Sequence, residues 1–161
     1  MNLRTIAGVL LAALVLGGCV RLQSNTLDEA VPPFNRVLVV TKTKREGDRY
    51  ARQFLGRFPS GYEVSVLGFD DLSFGNADSL IARLARENGC QALLLVEIRP
   101  TGSVVSTGKY SAAPGFEWYA EMRALPSNQP FWKAASNIWA DFNPPDASVF
   151  VNRLKKDGIL R

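Results

Sequence analysis

Asn76–Ile98 reads NADSLIARLARENGCQALLLVEI, and this stretch decides the fold class. Its first half has a helical period: Leu80, Ile81, Leu84 and Ala85 fall on one stripe of the helix surface. Asn76 or Asp78 can cap the start by accepting a free backbone N–H. Gly89 stands where a helix commonly ends in a left-handed residue. Then comes ALLLVEI, Ala92–Ile98, apolar at consecutive positions and therefore on both faces of the pleat. A strand of that kind is covered on both sides. A capped amphipathic helix leading into a doubly buried strand is half of a βαβ unit.

The same logic extends towards the N-terminus. RVLVV, Arg36–Val40, is a second β-branched run with no polar face. In EGDRYARQFLGRF the residues Tyr50, Ala51, Phe54, Leu55 and Phe58 form one helical stripe, and Pro59-Ser60-Gly61 stops it. YEVSVLGF, Tyr62–Phe69, is a further strand with Val64, Val66 and Gly68 on one face, and residues 70–77 form a loop. The order β-α-β-α-β favours parallel strands joined by right-handed crossovers.

Towards the C-terminus the pattern changes. Phe116, Trp118, Ala120, Met122 and Ala124 alternate with Glu117, Tyr119, Glu121 and Arg123, the period of a half-exposed antiparallel strand. PSNQP, Pro126–Pro130, is a turn, and FWKAASNIWADF returns as the partner strand. Asn143-Pro144-Pro145-Asp146 opens a last helix with Ala147, Phe150, Val151 and Leu154 on its inner face. Gly158 ends it, and Ile159-Leu160 can fold back as an apolar clasp. The summed order is β-α-β-α-β-β-β-α: an α/β chain with a mixed sheet and helices packed on it, in one domain over residues 35–161.

The N-terminus carries an address. Arg4 precedes an apolar run, Ile6–Leu16, that is too short to span a bilayer, which takes about 20 residues. A positive start, a short apolar centre and small residues describe a secretory signal over residues 1–18. It ends Leu16-Gly17-Gly18-Cys19, which resembles the bacterial lipobox. That resemblance implies acylation of the Cys19 thiol and cleavage just before it. Each buried methylene contributes about 0.8 kcal/mol, so several acyl chains would hold the protein on a membrane. Val20 follows where related lipoproteins retained at the inner membrane tend to carry Asp, which points to the outer membrane. Val20–Phe34 shows no apolar period and ends in Pro-Pro-Phe, so residues 19–34 are read as a lipidated N-terminus and flexible tether.

Composition limits the chemistry. Without residues 1–18 the chain holds 18 basic and 15 acidic residues, a mild balance that gives no reason to expect nucleic acid. The TKTKR run, Thr41–Arg45, reads as a solvated loop, with contact to acidic lipid or cell-wall polymer as its functional alternative. There is no histidine, which removes the commonest general base and zinc ligand. Asp70 and Asp71 are adjacent, so on a strand they would point to opposite faces and share no ligand easily. Ser103, Ser106 and Thr107 have no visible activating base. Cys90 reads as a buried structural thiol. No catalytic residue, metal or cofactor is expected.

The tryptophans raise a different possibility. Trp118, Trp132 and Trp139 all fall in the final hairpin. Trp132 and Trp139 are seven apart, so on a regular strand they face opposite sides unless a bulge intervenes. One indole is therefore expected at the surface as a partner anchor. Together with Glu117, Tyr119, Glu121 and Arg123 these two tryptophans make the candidate partner surface.

The whole pattern of lipobox, polar linker, βαβαβ core, hairpin with Trp132 and Ala134, and closing Asp157-Gly158 resembles small α/β envelope lipoproteins. These are grouped around the penicillin-binding-protein activators, the curli-secretion lipoprotein and the amino-terminal domain of the Tol translocation protein. The resemblance implies a non-enzymatic accessory or assembly factor that binds another envelope protein, anchored by Cys19 and facing the periplasm. The alternative is a cell-wall or polysaccharide-binding module, or an envelope hydrolase.

Overall fold

The computed structural model describes residues 22–27, 31–43, 45–70, 76–106, 112–138 and 144–161. Residues 1–18, read above as a secretory signal, and Cys19, Asp71, Thr107 and Trp139 lie outside the described residues. The elements are β1 (Gln23–Thr26), β2 (Arg36–Lys42), α1 (Gly47–Arg52), β3 (Glu63–Phe69), α2 (Ala77–Glu87), β4 (Ala92–Ser106), β5 (Ala112–Ala124), β6 (Pro130–Ile138) and α3 (Ala147–Lys156). The strands form one mixed sheet in the order β1-β6-β5-β4-β2-β3. β2 runs parallel to β3 and to β4, and the remaining pairs are antiparallel.

The chain steps from β2 outward to β3, then back across β2 to β4. Crossovers between parallel strands are right-handed, so these two opposite steps put their helices on opposite faces. Tyr50 of α1 and Phe54 just beyond it pack with Val37, Val39, Leu94 and Val96 on one face. Ala85 of α2 packs with Leu38, Val40, Leu93 and Leu95 on the other. β2 and β4 are therefore buried on both sides, as their unbroken apolar runs require.

Helix α3 returns to the α1 face and covers β5 and β6 through Phe150, Val151 and Leu154. Each such side chain stabilises the fold by about 1.5–3 kcal/mol when fully buried. Gly158 takes a left-handed φ of 74°, and Ile159 and Leu160 turn back into the core. The cap of α2 is Asn76, whose side chain accepts from the N–H groups of Asp78 and Ser79. Where α1 begins, two glycines let backbones touch. A Cβ on Gly68 would lie 2.1 Å from the Asp48 nitrogen, and one on Gly47 would lie 2.2 Å from the Phe69 carbonyl oxygen.

Three expectations need correction. Part of the segment read as a tether is in the sheet: β1 pairs antiparallel with β6, Gln23 opposite Ala135 through Thr26 opposite Trp132. Its four residues are polar because an edge strand is held by backbone bonds and need not bury an apolar face. The first helix ends at Arg52, and Gly56 takes a φ of 73°. The chain turns there, so Leu55 is left 46% exposed rather than on the inner face. β4 does not stop at Ile98. It continues past Pro100 and Gly102 to Ser106, through an irregularity in its pairing with β5 between Pro100 and Val104.

Candidate partner surface on the open half of the sheet

Helices α1 and α3 both lie on one face, and the apolar cluster under α2 is confined to β2, β3 and β4 with Leu125. The α2-side face of β5 and β6 is thus the part of the sheet that alternation leaves polar. Glu117, Tyr119, Glu121 and Arg123 follow one another along it on β5. Register adds neighbours that spacing alone does not reveal: Arg99 opposite Glu117, Glu97 opposite Tyr119 and Lys133 opposite Glu121.

Glu121 is the centre of this group and is only 3% exposed. Its carboxylate accepts from the Tyr119 hydroxyl at 2.5 Å and from Arg123 Nε, and Lys133 Nζ lies 3.4 Å away. Burial alone would raise its pKa. The hydrogen bonds from Tyr119 and Arg123 and the two positive charges outweigh that and hold it below the usual carboxylate range. Tyr119 is pushed up to about 12, first by burial and then by the Glu121 carboxylate beside it. The Arg99 guanidinium sits 3.6 Å from the centre of the Tyr119 ring, a cation–π contact, and pairs with Glu97. Arg123 also donates to the Asn128 side chain at 3.3 Å.

The structure therefore brings Tyr119, Glu121 and Arg123 together and adds Glu97, Arg99 and Lys133. Glu121 itself is not a free surface charge, because its donors come from its own sheet. Glu117, Tyr119 and Arg123 are half-buried, and Lys133 is exposed.

Trp132 does not belong to this surface. It is fully buried on the opposite face. The β5–β6 register shifts between Met122, opposite Trp132, and Arg123, opposite Pro130. That irregularity lets the adjacent Phe131 and Trp132 enter the same core cluster. The indole Nε1 of Trp132 donates to Asp157 Oδ2 at 2.7 Å, and Ser24 Oγ of β1 donates to the same oxygen at 2.6 Å. Arg153 Nε pairs with Asp157 Oδ1 at 3.1 Å. Asp157 thus ties β1, β6 and the end of α3 together. Burial works against its charged form, but the Ser24 and Trp132 hydrogen bonds and Arg153 hold its pKa below the ordinary value.

Cys90 is half-buried; burial raises its pKa against a Ser65 hydrogen bond and the Arg36 charge, so the thiol stays protonated. A groove of about 380 Å³ lies at the end of the sheet where β2 begins, lined by Val31, Pro32, Pro33, Phe34, Tyr62, Ile159 and Arg161. Among the described residues no three His, Cys, Asp or Glu side chains converge as metal ligands.

No family model matches the sequence, and no curated protein matches it. Solved structures with a similar arrangement include three from bacteria. A PelC dodecamer from Paraburkholderia phytofirmans is 12% identical over 82% of this chain and 91% of that chain, with a TM-score of 0.42. Lipoprotein GNA1162 from Neisseria meningitidis is 14% identical over 77% and 94%, with a TM-score of 0.38. TolB from Acinetobacter baumannii is 14% identical over 80% of this chain and 27% of that one, with a TM-score of 0.35.

Proposed function

We propose that the chain is a lipoprotein of the bacterial cell envelope, anchored through Cys19, which acts as a non-enzymatic accessory or assembly factor by binding another protein. The observation that carries the reading is Leu16-Gly17-Gly18-Cys19 at the end of a short apolar run, only three residues before Leu22, which is buried in the fold. An acylated Cys19 would hold the folded body close against the membrane rather than at the end of a long leash. The outer membrane is the proposed site, with the domain facing the periplasm.

The partner surface in this reading is the open half of the sheet, reduced to Glu117, Tyr119 and Arg123 and enlarged by Arg99 and Lys133. It offers an aromatic ring among paired charges, with Arg99 on Glu97 and Arg123 and Lys133 on Glu121, which suits a protein partner with a mixed polar face. A photo-crosslinking side chain placed at Lys133 tests it in intact cells. A discrete protein adduct is expected there and not from the same group at Arg83 on the exposed side of α2. Equal labelling at both positions, or none at Lys133, would count against the surface.

The groove beside Phe34 and Tyr62 supports a second reading, a polysaccharide-binding module, since aromatic rings stack on sugars. Binding of soluble peptidoglycan fragments that is lost in Tyr62→Ala would favour it.

A further inference from the structure

β3 has β2 on one side and, among the described residues, no strand on the other. The direction of its backbone groups is fixed at its two ends. Glu63 donates its N–H to the Asn35 carbonyl at 2.8 Å, and the Phe69 carbonyl accepts from Thr43 at 3.0 Å. Asn35 and Thr43 flank β2, so Glu63 and Phe69 turn their polar groups towards β2. A strand repeats every two residues, so Ser65 and Leu67 do the same along the unbroken parallel register. Val64, Val66 and Gly68 therefore turn N–H and C=O to the free side. The Gly68 N–H follows this rule, since it donates to Asp48 Oδ1 at 3.2 Å from the first turn of α1. At the other end the Tyr62 N–H is taken by the Pro59 carbonyl. Between these two closed ends, the N–H and C=O groups of Val64 and Val66 face outward with no strand to meet them among the described residues.

Exposed edges are usually guarded by a charge, a proline or a bulge. Val64–Leu67 is Val-Ser-Val-Leu and has none of these. All four residues are half-buried. The opposite edge, β1, is four polar residues long.

We propose that β3 pairs with β3 of a second copy of the chain, antiparallel about a two-fold axis at Ser65, so that two sheets join into one. The register selects this occupant. With Ser65 opposite Ser65, Val64 of each copy stands opposite Val66 of the other, and each such pair exchanges both of its N–H···O bonds. An axis at Val64 or Val66 would instead aim one valine carbonyl of each copy at the N–H of Tyr62 or Gly68, and both are already taken. The side chains agree with the same register. Valine lies beside valine on the α1 face, serine beside serine on the α2 face, and Glu63 opposite Leu67 rather than another carboxylate. This surface is separate from the polar face of β5 and does not depend on the lipidation of Cys19.

The test is cysteine crosslinking of the full chain in the membranes of an expressing bacterium. The parent is Cys90→Ser, which keeps Cys19 and serves as the blank. In the proposed pairing the two Ser65 residues form a non-hydrogen-bonded pair with Cα atoms about 4.5 Å apart, within disulfide reach. The two Glu63 residues stand four positions apart, about 13 Å, which is too far. Mild oxidation of Ser65→Cys should give a band at twice the mass, while Glu63→Cys and the parent stay monomeric. Glu63→Cys co-expressed with a differently tagged Leu67→Cys should crosslink as a mixed pair, and it replaces Ser65→Cys if that variant melts early. Val66→Pro, added to Ser65→Cys, should abolish the dimer, because the lost N–H faces away from β2 and proline is tolerated at such an edge position; Val66→Lys replaces it if it melts early. A folded Ser65→Cys chain that stays monomeric, a Glu63→Cys chain that crosslinks equally, or a dimer that survives Val66→Pro would overturn the proposal. A disulfide from position 65 to a different protein would also overturn it, and would assign the edge to a partner's strand.

Discussion

Replacing Asp157 with Ala removes one carboxylate and disturbs three elements at once. The magnitude is set mainly by Trp132. Ser24 is half-buried and the Arg153 side chain is 28% exposed, so water can replace much of what those two groups lose. The Trp132 residue is fully buried, so its N–H, donating to Asp157 at 2.7 Å, would be left inside the fold without an acceptor. Leaving a buried donor unpaired costs about 1–3 kcal/mol, and hydrogen bonds to charged acceptors lie at the upper end of the usual scale. We expect Asp157→Ala to destabilise the domain by about 3 kcal/mol, seen as a fall in melting temperature of roughly 10 °C for a domain of this size. Urea unfolding followed by tryptophan fluorescence measures it. Trp132→Phe supplies the control, because it removes the donor while keeping most of the apolar volume. In that background Asp157→Ala should cost about 1–2 kcal/mol less, the coupling typical of residues in direct contact. Hydrogen exchange should also show the amides of Gln23–Thr26 opening first, since Ser24 loses its attachment to α3. A loss within about 0.5 kcal/mol, the range of ordinary surface changes, would refute the account of this clasp.

Further outcomes follow from other parts of the fold. Asp157 and Glu121 both have carboxyls held below their ordinary values, so the folded state binds fewer protons than the unfolded chain. Their stabilisation is fully present above about pH 5 and is lost as pH falls through the folded-state values, which melting curves between pH 6 and 2 should follow; a melting temperature that rises on acidification would contradict the two networks. Gly68→Ala should destabilise by at least about 1–3 kcal/mol, because the added methyl meets backbone rather than a movable side chain; denaturant unfolding reads it, and a neutral result would mean that α1 does not press on β3 as described. Leu55→Ser should stay within about 0.5 kcal/mol, whereas Phe54→Ala should cost about 3–5 kcal/mol; similar losses at both would restore the longer helix expected from the periodicity.

Why some of this was legible in the sequence and some was not has a physical basis. The step from α2 to β4 rests on local signals: a cap at Asn76, a left-handed turn at Gly89 and an unbroken apolar strand. All three are properties of neighbouring residues. β1 has no such signal, because Gln23–Thr26 is held by pairing with a strand more than a hundred residues away. The inner face of the last helix was readable from Phe150, Val151 and Leu154. The side on which Trp132 lies was not, because it depends on the irregular register after Met122. The alternation of Glu117, Tyr119, Glu121 and Arg123 announced a polar face, but not the burial of Glu121. That burial comes from Tyr119 and Arg123 on its own strand and from Lys133 on the next one. Arg99 entered the group in the same way, through cross-strand pairing and a long side chain laid over an aromatic ring.

The central claim concerns Cys19. Intact mass spectrometry of the protein extracted from the membranes of a bacterium expressing the full chain tests it most directly, with Cys19→Ser in parallel. The account predicts a mature chain that begins at Cys19 and carries the mass of a diacylglyceryl group, with or without a further acyl chain, while Cys19→Ser remains an uncut, unacylated precursor. A wild-type chain that still begins at Met1, or that begins at an unmodified Cys19, would contradict it.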